Sequence, residues 1–215
     1  TKRRKTASII IADGLVKAVV PDQISDFTIK ELVRKRMPWI RKKLQDKSYT
    51  TYVKSKEYVD GENFLYLGDT YQLQSFISDL SSVDVTNSYI SVSLPKQSKE
   101  SIKDLMTHWY VEKATEILTE KTGNYAKIIG VLPHLISVRD FKSKWGSCSI
   151  EGKISYNWRI VMAPHRILDY VVIHELCHML EHNHSKEYWL HVSTYCHDFK
   201  ECRKWLRLNA RSLAI

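Results

Sequence analysis

VVIHELCHMLEHNHS, residues 171–185, sets four histidines, two glutamates and one cysteine among apolar neighbours. On a helix, residues four apart share a face, so His174 and His178 project side by side and can offer two imidazole nitrogens to one ion. Glu175 lies about 100° further round the axis, beside such an ion, where a carboxylate can act on a water. This is the HExxH pattern, and Val171, Val172, Ile173 and Leu176 give its helix a face to bury. A catalytic zinc site needs a third protein ligand and an open fourth position. His182 continues the four-residue ladder, but on an unbroken helix its backbone lies about 12 Å along the axis from His174. His184 suits better if the helix ends near Asn183, a residue that tolerates the left-handed conformation, and the chain turns back. We take His184 as the third ligand and leave His182 as an exposed polar residue. Cys177 is a further thiol close by, but a closed site built on it would leave Glu175 without a role.

Working outward, Pro164 suits the first turn of the helix that carries the histidines. Upstream, 135–141 and 153–160 read as short strands joined by the loop KSKWGSCSIEG. Downstream, 185–196 and 199–213 read as two closing helices. Ile102, Leu105, Met106, Trp109, Ala114, Ile117 and Leu118 recur at helical spacing and predict one long amphipathic helix from Ser98, stopped near Gly123. Before it, two hairpins are expected, one around Asp13-Gly14 and one around Gly68-Asp69, with a further strand pair at 83–86 and 89–94. A helix over 28–44 lies between the hairpins, with Thr28 as its cap and Glu31 three residues on. The expected fold class is therefore α+β. A basic, strand-rich N-terminal unit with one helix occupies 1–97, and a second unit with the histidine-bearing helix, a small antiparallel sheet and closing helices occupies 98–215.

The 215 residues are 43% hydrophobic, enough for one good core. The longest apolar stretches fall far short of the roughly 20 residues of a membrane-spanning helix, and the basic start lacks the apolar core of a signal peptide. A cytoplasmic protein with no membrane partner is expected. Cys148, Cys177, Cys196 and Cys202 show no CxxC pairing and read as reduced, buried thiols. The net charge of +9 is uneven: residues 1–60 hold 15 Lys+Arg against 7 Asp+Glu. KRRK at 2–5, RKR at 34–36 and RKK at 41–43 could contact nucleic acid, although no base-reading motif accompanies them and a solvated basic face accounts for the charge.

HExxH followed by His184 matches the histidine spacing of the metzincins, but Glu181 stands where those enzymes have Gly. No methionine follows His184 to form their Met-turn, so that group is excluded. The chain instead resembles the YgjP-like zinc metallopeptidases, relatives of the SprT-like and WLM proteases. The resemblance rests on RDFKSKWGSCS at 139–149, ISYNWRIVMAP at 154–164, DYVVIHELCHM at 169–179, NHSKEYW at 183–189 and FKECRKWL at 199–206, and on the basic opening that leads to PWIRKKL at 38–44. Cys177 replaces a usual small residue and Tyr188 a usual Phe; neither removes a ligand. The resemblance implies a zincin-like domain with one Zn2+ per chain on His174, His178 and His184. It also implies Glu175 as general base and a protein or peptide substrate. Tyr156, Asn157, Tyr188 and His191 are candidates for stabilising the oxyanion. WGSC at 145–148 is set aside as a nucleophile because no adjacent base is evident. The resemblance puts it in the sheet beside the cleft, where, as an edge, it could pair with an extended peptide. The alternatives are a basic nucleic-acid-associated protein braced by structural zinc, a protease recruited to DNA-bound proteins, and hydrolysis of a nonpeptide amide.

Overall fold

The computed structural model describes residues 7–12, 15–45, 55–213 and 215. KRRK at 2–5 and the Asp13-Gly14 turn lie outside the described residues. By compactness the chain divides into two units, 1–54 with 207–212 and 55–206 with 213–215. This division falls at 54/55, whereas the sequence suggested 97/98. The reason is that the strands over 63–94 pack with the long helix that follows them.

In the first unit, β1 (Ser8–Ala12) and β2 (Leu15–Val19) form the expected antiparallel hairpin, from Ser8 opposite Val19 to Ala12 opposite Leu15. Helix α1 (Asp26–Gln45) packs against it. Its cap is Ser25 rather than Thr28, because the Ser25 hydroxyl accepts from the Thr28 amide at 3.3 Å, filling one orphan donor of the first turn. Arg34, Lys35 and Arg36 are exposed on this helix, and Arg34 pairs with Glu31 on its own surface.

The second unit begins with a four-stranded sheet of β3 (Asn63–Tyr66), β4 (Asp69–Ile77), β5 (Ser82–Thr86) and β6 (Tyr89–Leu94) in the order β3-β4-β6-β5. The hairpins β3-β4 and β5-β6 are antiparallel as expected. The β4-β6 pair that joins them is parallel, which no local pattern announced. Tyr66 faces Asp69, so the turn is Leu67-Gly68, one residue earlier than the sequence suggested. Both residues have positive φ, 52° and 94°, as a type I′ turn requires. Leu67 is an unfavourable residue there, and its amide is held by the Val161 carbonyl at 2.8 Å.

Helix α2 (Lys99–Ile129) opens on a capping box between Ser98 and Ser101 and closes on Gly130, whose φ of 80° is left-handed. It runs straight past Gly123, the expected stop, because its buried seam continues through Thr122, Ala126 and Ile129. Fully buried Met106 and Leu118 on this seam each contribute about 1.5–3 kcal/mol. A three-stranded sheet follows, of β7 (Leu135–Arg139), β8 (Gly146–Cys148) and β9 (Lys153–Asn157) in the order β7-β9-β8. It is mixed rather than antiparallel, because β7 runs parallel to β9 and only β8 runs against it. β8 lies within the stretch read as a loop, and three residues are too short for a two-residue alternation to show. Residues 158–160, expected to extend β9, enter a 3-10 turn over Trp158–Met162.

The histidine-bearing helix α3 (His165–Cys177) packs against α2 and β8, and α4 (Lys186–Tyr195) and α5 (Phe199–Asn209) close the chain. Among the described residues, no helix is long and apolar enough to cross a membrane.

Candidate metal centre

Helix α3 ends earlier than expected, at Cys177, and Asn183 is not left-handed; among described non-glycine residues only Tyr58 and Leu67 are. His178 nevertheless keeps helical dihedrals, φ −65° and ψ −16°, so the four-residue spacing from His174 holds. The chain reverses over 178–184 through amides of Leu180 and Glu181 that bond to the Cys177 carbonyl. This early stop removes the distance problem of a continuous helix and brings His184 back to the other two histidines. The rings of His174, His178 and His184 lie 4.7–5.2 Å apart, and one nitrogen from each falls within 4.8 Å of the others.

Hydrogen bonds decide which nitrogens face inward. The Tyr188 hydroxyl donates to the His174 carbonyl at 2.9 Å, so at its 2.7 Å contact with His174 Nδ1 it accepts, which puts the proton on Nδ1. His178 Nδ1 donates to the Glu181 carbonyl at 3.3 Å. Nε2 of both rings is left with a lone pair. His174 Nε2 and His184 Nε2 stand 3.4 Å apart, close to the ~3.3 Å expected between two nitrogens bound tetrahedrally at 2.0–2.1 Å. With the His174 lone pair on Nε2, this contact is a hydrogen bond donated by His184 Nε2–H in the metal-free protein, and a cation that takes the place of that proton makes both nitrogens ligands. Burial, then the neighbouring His178 and His184, pushes His174 down to about 3, so it stays neutral and able to ligate. The donor set therefore suits a zinc-like ion, and Tyr188 and the Glu181 carbonyl supply the outer bonds that orient such ligands.

His184 is the exposed member of the three and is backed by an aromatic stack. Trp189 lies against it at 5.5 Å and 26°, and Phe199 stacks on the same indole at 5.3 Å and 16°. The guanidinium of Arg203 sits 4.4 Å from the Trp189 ring. Glu175 is 4% exposed, and burial pushes its carboxyl up to about 8, against the opposing pull of Lys144. β8 runs immediately over it: a Cβ placed on Gly146 would sit 2.5 Å from Glu175 Oε1. A glycine within a strand is a general mark of close approach; here the approaching group is the Glu175 carboxyl.

A cleft of about 380 Å³ joins these parts, lined by Gly146, Ser147, Cys148, Ile150, His174, Glu175, His178, His182 and His184. His182 thus borders the site, although it was expected to be only a surface residue. The oxyanion candidates are placed elsewhere or already occupied. Tyr188 is spent on His174. The Tyr156 hydroxyl donates to Thr122 Oγ1 at 3.0 Å, since that threonine gives its own proton to Leu118. The Asn157 amide donates to the carbonyls of Phe141 and Lys144, holding the segment that leads into β8. His191 does not line the cleft. Cys177 is fully buried and belongs to neither metal-competent cluster among the described residues.

Two solved structures are similar to this chain. The zymogen of abylysin, a metallopeptidase from Pyrococcus abyssi, is 19% identical with a TM-score of 0.40, covering 45% of this chain and 96% of its own. The zymogen of jannalysin, a metallopeptidase from Methanocaldococcus jannaschii, is 19% identical with a TM-score of 0.38, covering 41% and 92%. No curated protein matches the chain. The family model of the YgjP-like metallopeptidase domain matches residues 5–209, nearly the whole sequence, and the chain belongs to that family of metallopeptidases.

Proposed function

We propose that the chain hydrolyses peptide bonds with one zinc ion held by His174, His178 and His184 and with Glu175 as general base. The observation that carries this is the convergence of the three histidine nitrogens within 4.8 Å beside a buried glutamate at the floor of an open cleft. A bound zinc ion supplies Lewis-acid polarisation of the scissile carbonyl and acidifies a water toward a pKa of ~7. Glu175 receives the proton of that attacking water on its carboxylate and later delivers it to the leaving nitrogen. Burial raises its carboxyl above the ordinary range while Lys144 opposes the shift, so its carboxylate is a stronger base than a solvated one.

β8 is one of the two edge strands of its sheet and borders the cleft. A substrate lying extended along it would be held through its backbone, an arrangement that places weak demands on side chains. Three ligands in an open cleft are the pattern of a catalytic rather than a bracing ion, which favours hydrolysis over the structural-zinc alternative. The test is elemental analysis and peptide hydrolysis on parent, His184→Ala, His182→Ala and Glu175→Gln proteins. One equivalent of zinc lost with His184 and kept in the other two variants, together with hydrolysis abolished in Glu175→Gln, is the expected pattern. A Glu175→Gln protein that cleaves as fast as the parent would remove the general base from the mechanism.

A further inference from the structure

Outside the three-histidine centre, a second group of ligand-bearing side chains converges where α4 meets α5. Cys196 closes α4, and Asp198 and Cys202 lie four apart at the start of α5, the same one-face spacing that pairs two of the histidines. Cys196 Sγ lies 3.4 Å from Asp198 Oδ1, Cys202 Sγ lies 3.6 Å from Asp198 Oδ2, and the three ligand atoms fall within 4.8 Å of one another. For an ion bound tetrahedrally at about 2.3 Å to sulfur and 2.0–2.2 Å to oxygen, a sulfur–oxygen separation of about 3.5 Å is expected. The two contacts lie near that value, one on each oxygen of the Asp198 carboxylate.

We propose that Cys196, Asp198 and Cys202 form a second metal site, for a thiophilic divalent ion of the zinc class. Two soft sulfur ligands select such an ion over magnesium, calcium or manganese. Binding replaces the two thiol protons, which leave to solvent, and no oxidant or reductant is required. The charges close locally. Two thiolates and a carboxylate bring three negative charges, the ion two positive, and the Arg166 guanidinium, 3.5 Å from Asp198 Oδ2, supplies the third. Cys202 is fully buried and Cys196 nearly so, while the Asp198 side chain is about half exposed, giving an ion a way in. The protein offers three ligands here, so the fourth position falls to water.

The site would tie the end of α4 to the start of α5. Trp189 on α4 stacks on Phe199 of α5 and also backs His184, so a bridging ion braces the wall of the three-histidine centre without taking part in its chemistry. The two clusters share no ligand.

Cobalt(II) distinguishes the two sites, because thiolate ligands give it an intense near-ultraviolet charge-transfer band that histidines do not. Titration of the reduced, metal-free full chain with Co2+ should load both sites and develop this band. Cys196→Ser and Cys202→Ser should each lose the band and one equivalent of cobalt, whereas His184→Ala should lose one equivalent and keep the band. A parent protein without the band, or a band that survives both cysteine substitutions, overturns the proposal. A second measurement needs no variant: Zn2+ should slow alkylation of Cys196 and Cys202 in the parent, mapped by mass. Equal alkylation with and without zinc, or a Cys196–Cys202 disulfide formed equally fast in its presence, also overturns it.

Discussion

Replacing Gly146 with alanine asks directly whether the backbone of β8 sets the position of the Glu175 carboxyl. An ideal Cβ at this position would lie 2.5 Å from Glu175 Oε1, 2.7 Å from Cγ and 2.8 Å from Cδ. Ordinary carbon contacts settle near 3.5–4.0 Å, so either the carboxyl or the strand must retreat by about 1 Å. Gly146 does not have a left-handed backbone, so the added methyl brings no conformational strain of its own and reports on the contact alone. β8 is short and at the sheet edge, but its pairing to β9 at Gly146–Tyr156, Ser147–Ser155 and Cys148–Ile154 resists movement. The glutamate, one end of a flexible side chain, is the part that gives. A displacement of about 1 Å in a catalytic group costs on the order of 100-fold in rate, equivalent to about 2.7 kcal/mol. The expected result for Gly146→Ala is therefore a kcat on a peptide substrate lower by about two orders of magnitude, with zinc at the histidine centre and the melting temperature close to the parent's. The assay is fluorogenic peptide hydrolysis beside elemental analysis and a thermal melt. Parental kcat in a folded, zinc-loaded Gly146→Ala protein would refute the inference that this close approach positions the base.

Three further outcomes follow from particular contacts. Tyr188→Phe removes the acceptor of the His174 Nδ1 proton from a fully buried position, and zinc affinity measured by chelator competition should fall by about 10- to 100-fold with the fold intact; unchanged affinity would show that Tyr170, 3.4 Å from the same nitrogen, suffices. Asn157→Ala removes a buried amide that donates to the Phe141 and Lys144 carbonyls, so chemical denaturation should show a loss of about 1–3 kcal/mol, and a loss under about 0.5 kcal/mol would mean that the segment before β8 is held by other bonds. Gly123→Ala, in mid-helix with nothing within 4 Å of the added methyl, should raise stability by about 0.5–1 kcal/mol and leave hydrolysis unchanged; a destabilised protein would mean that α2 uses the glycine's freedom.

Much of the centre is legible in the chain because its chemistry is local. His174 and His178 are four apart on one helix, Glu175 lies between them, and Pro164 marks where that helix begins; each follows from helical periodicity without reference to any other part of the molecule. Most strands of the first sheet are readable for the same reason, since each hairpin is encoded by alternation around a turn. The misplacements are also local in origin. Thr28 and Ser25 are equally good caps, and Gly123 and Gly130 equally good stops, until buried neighbours choose between them. The chain order by itself therefore determined most element types, the HExxH motif and the family, through residues whose meaning rests on spacing. Tertiary structure decided the rest. It set the parallel pairing of β4 with β6, brought His184 rather than His182 against His174, and committed Tyr188 to that ring. It also laid Gly146 over Glu175 and brought Cys196 and Cys202 to the Asp198 carboxylate. Each of these depends on the path of the chain through space, and close packing fixes that path through contacts between residues that no period in the sequence relates.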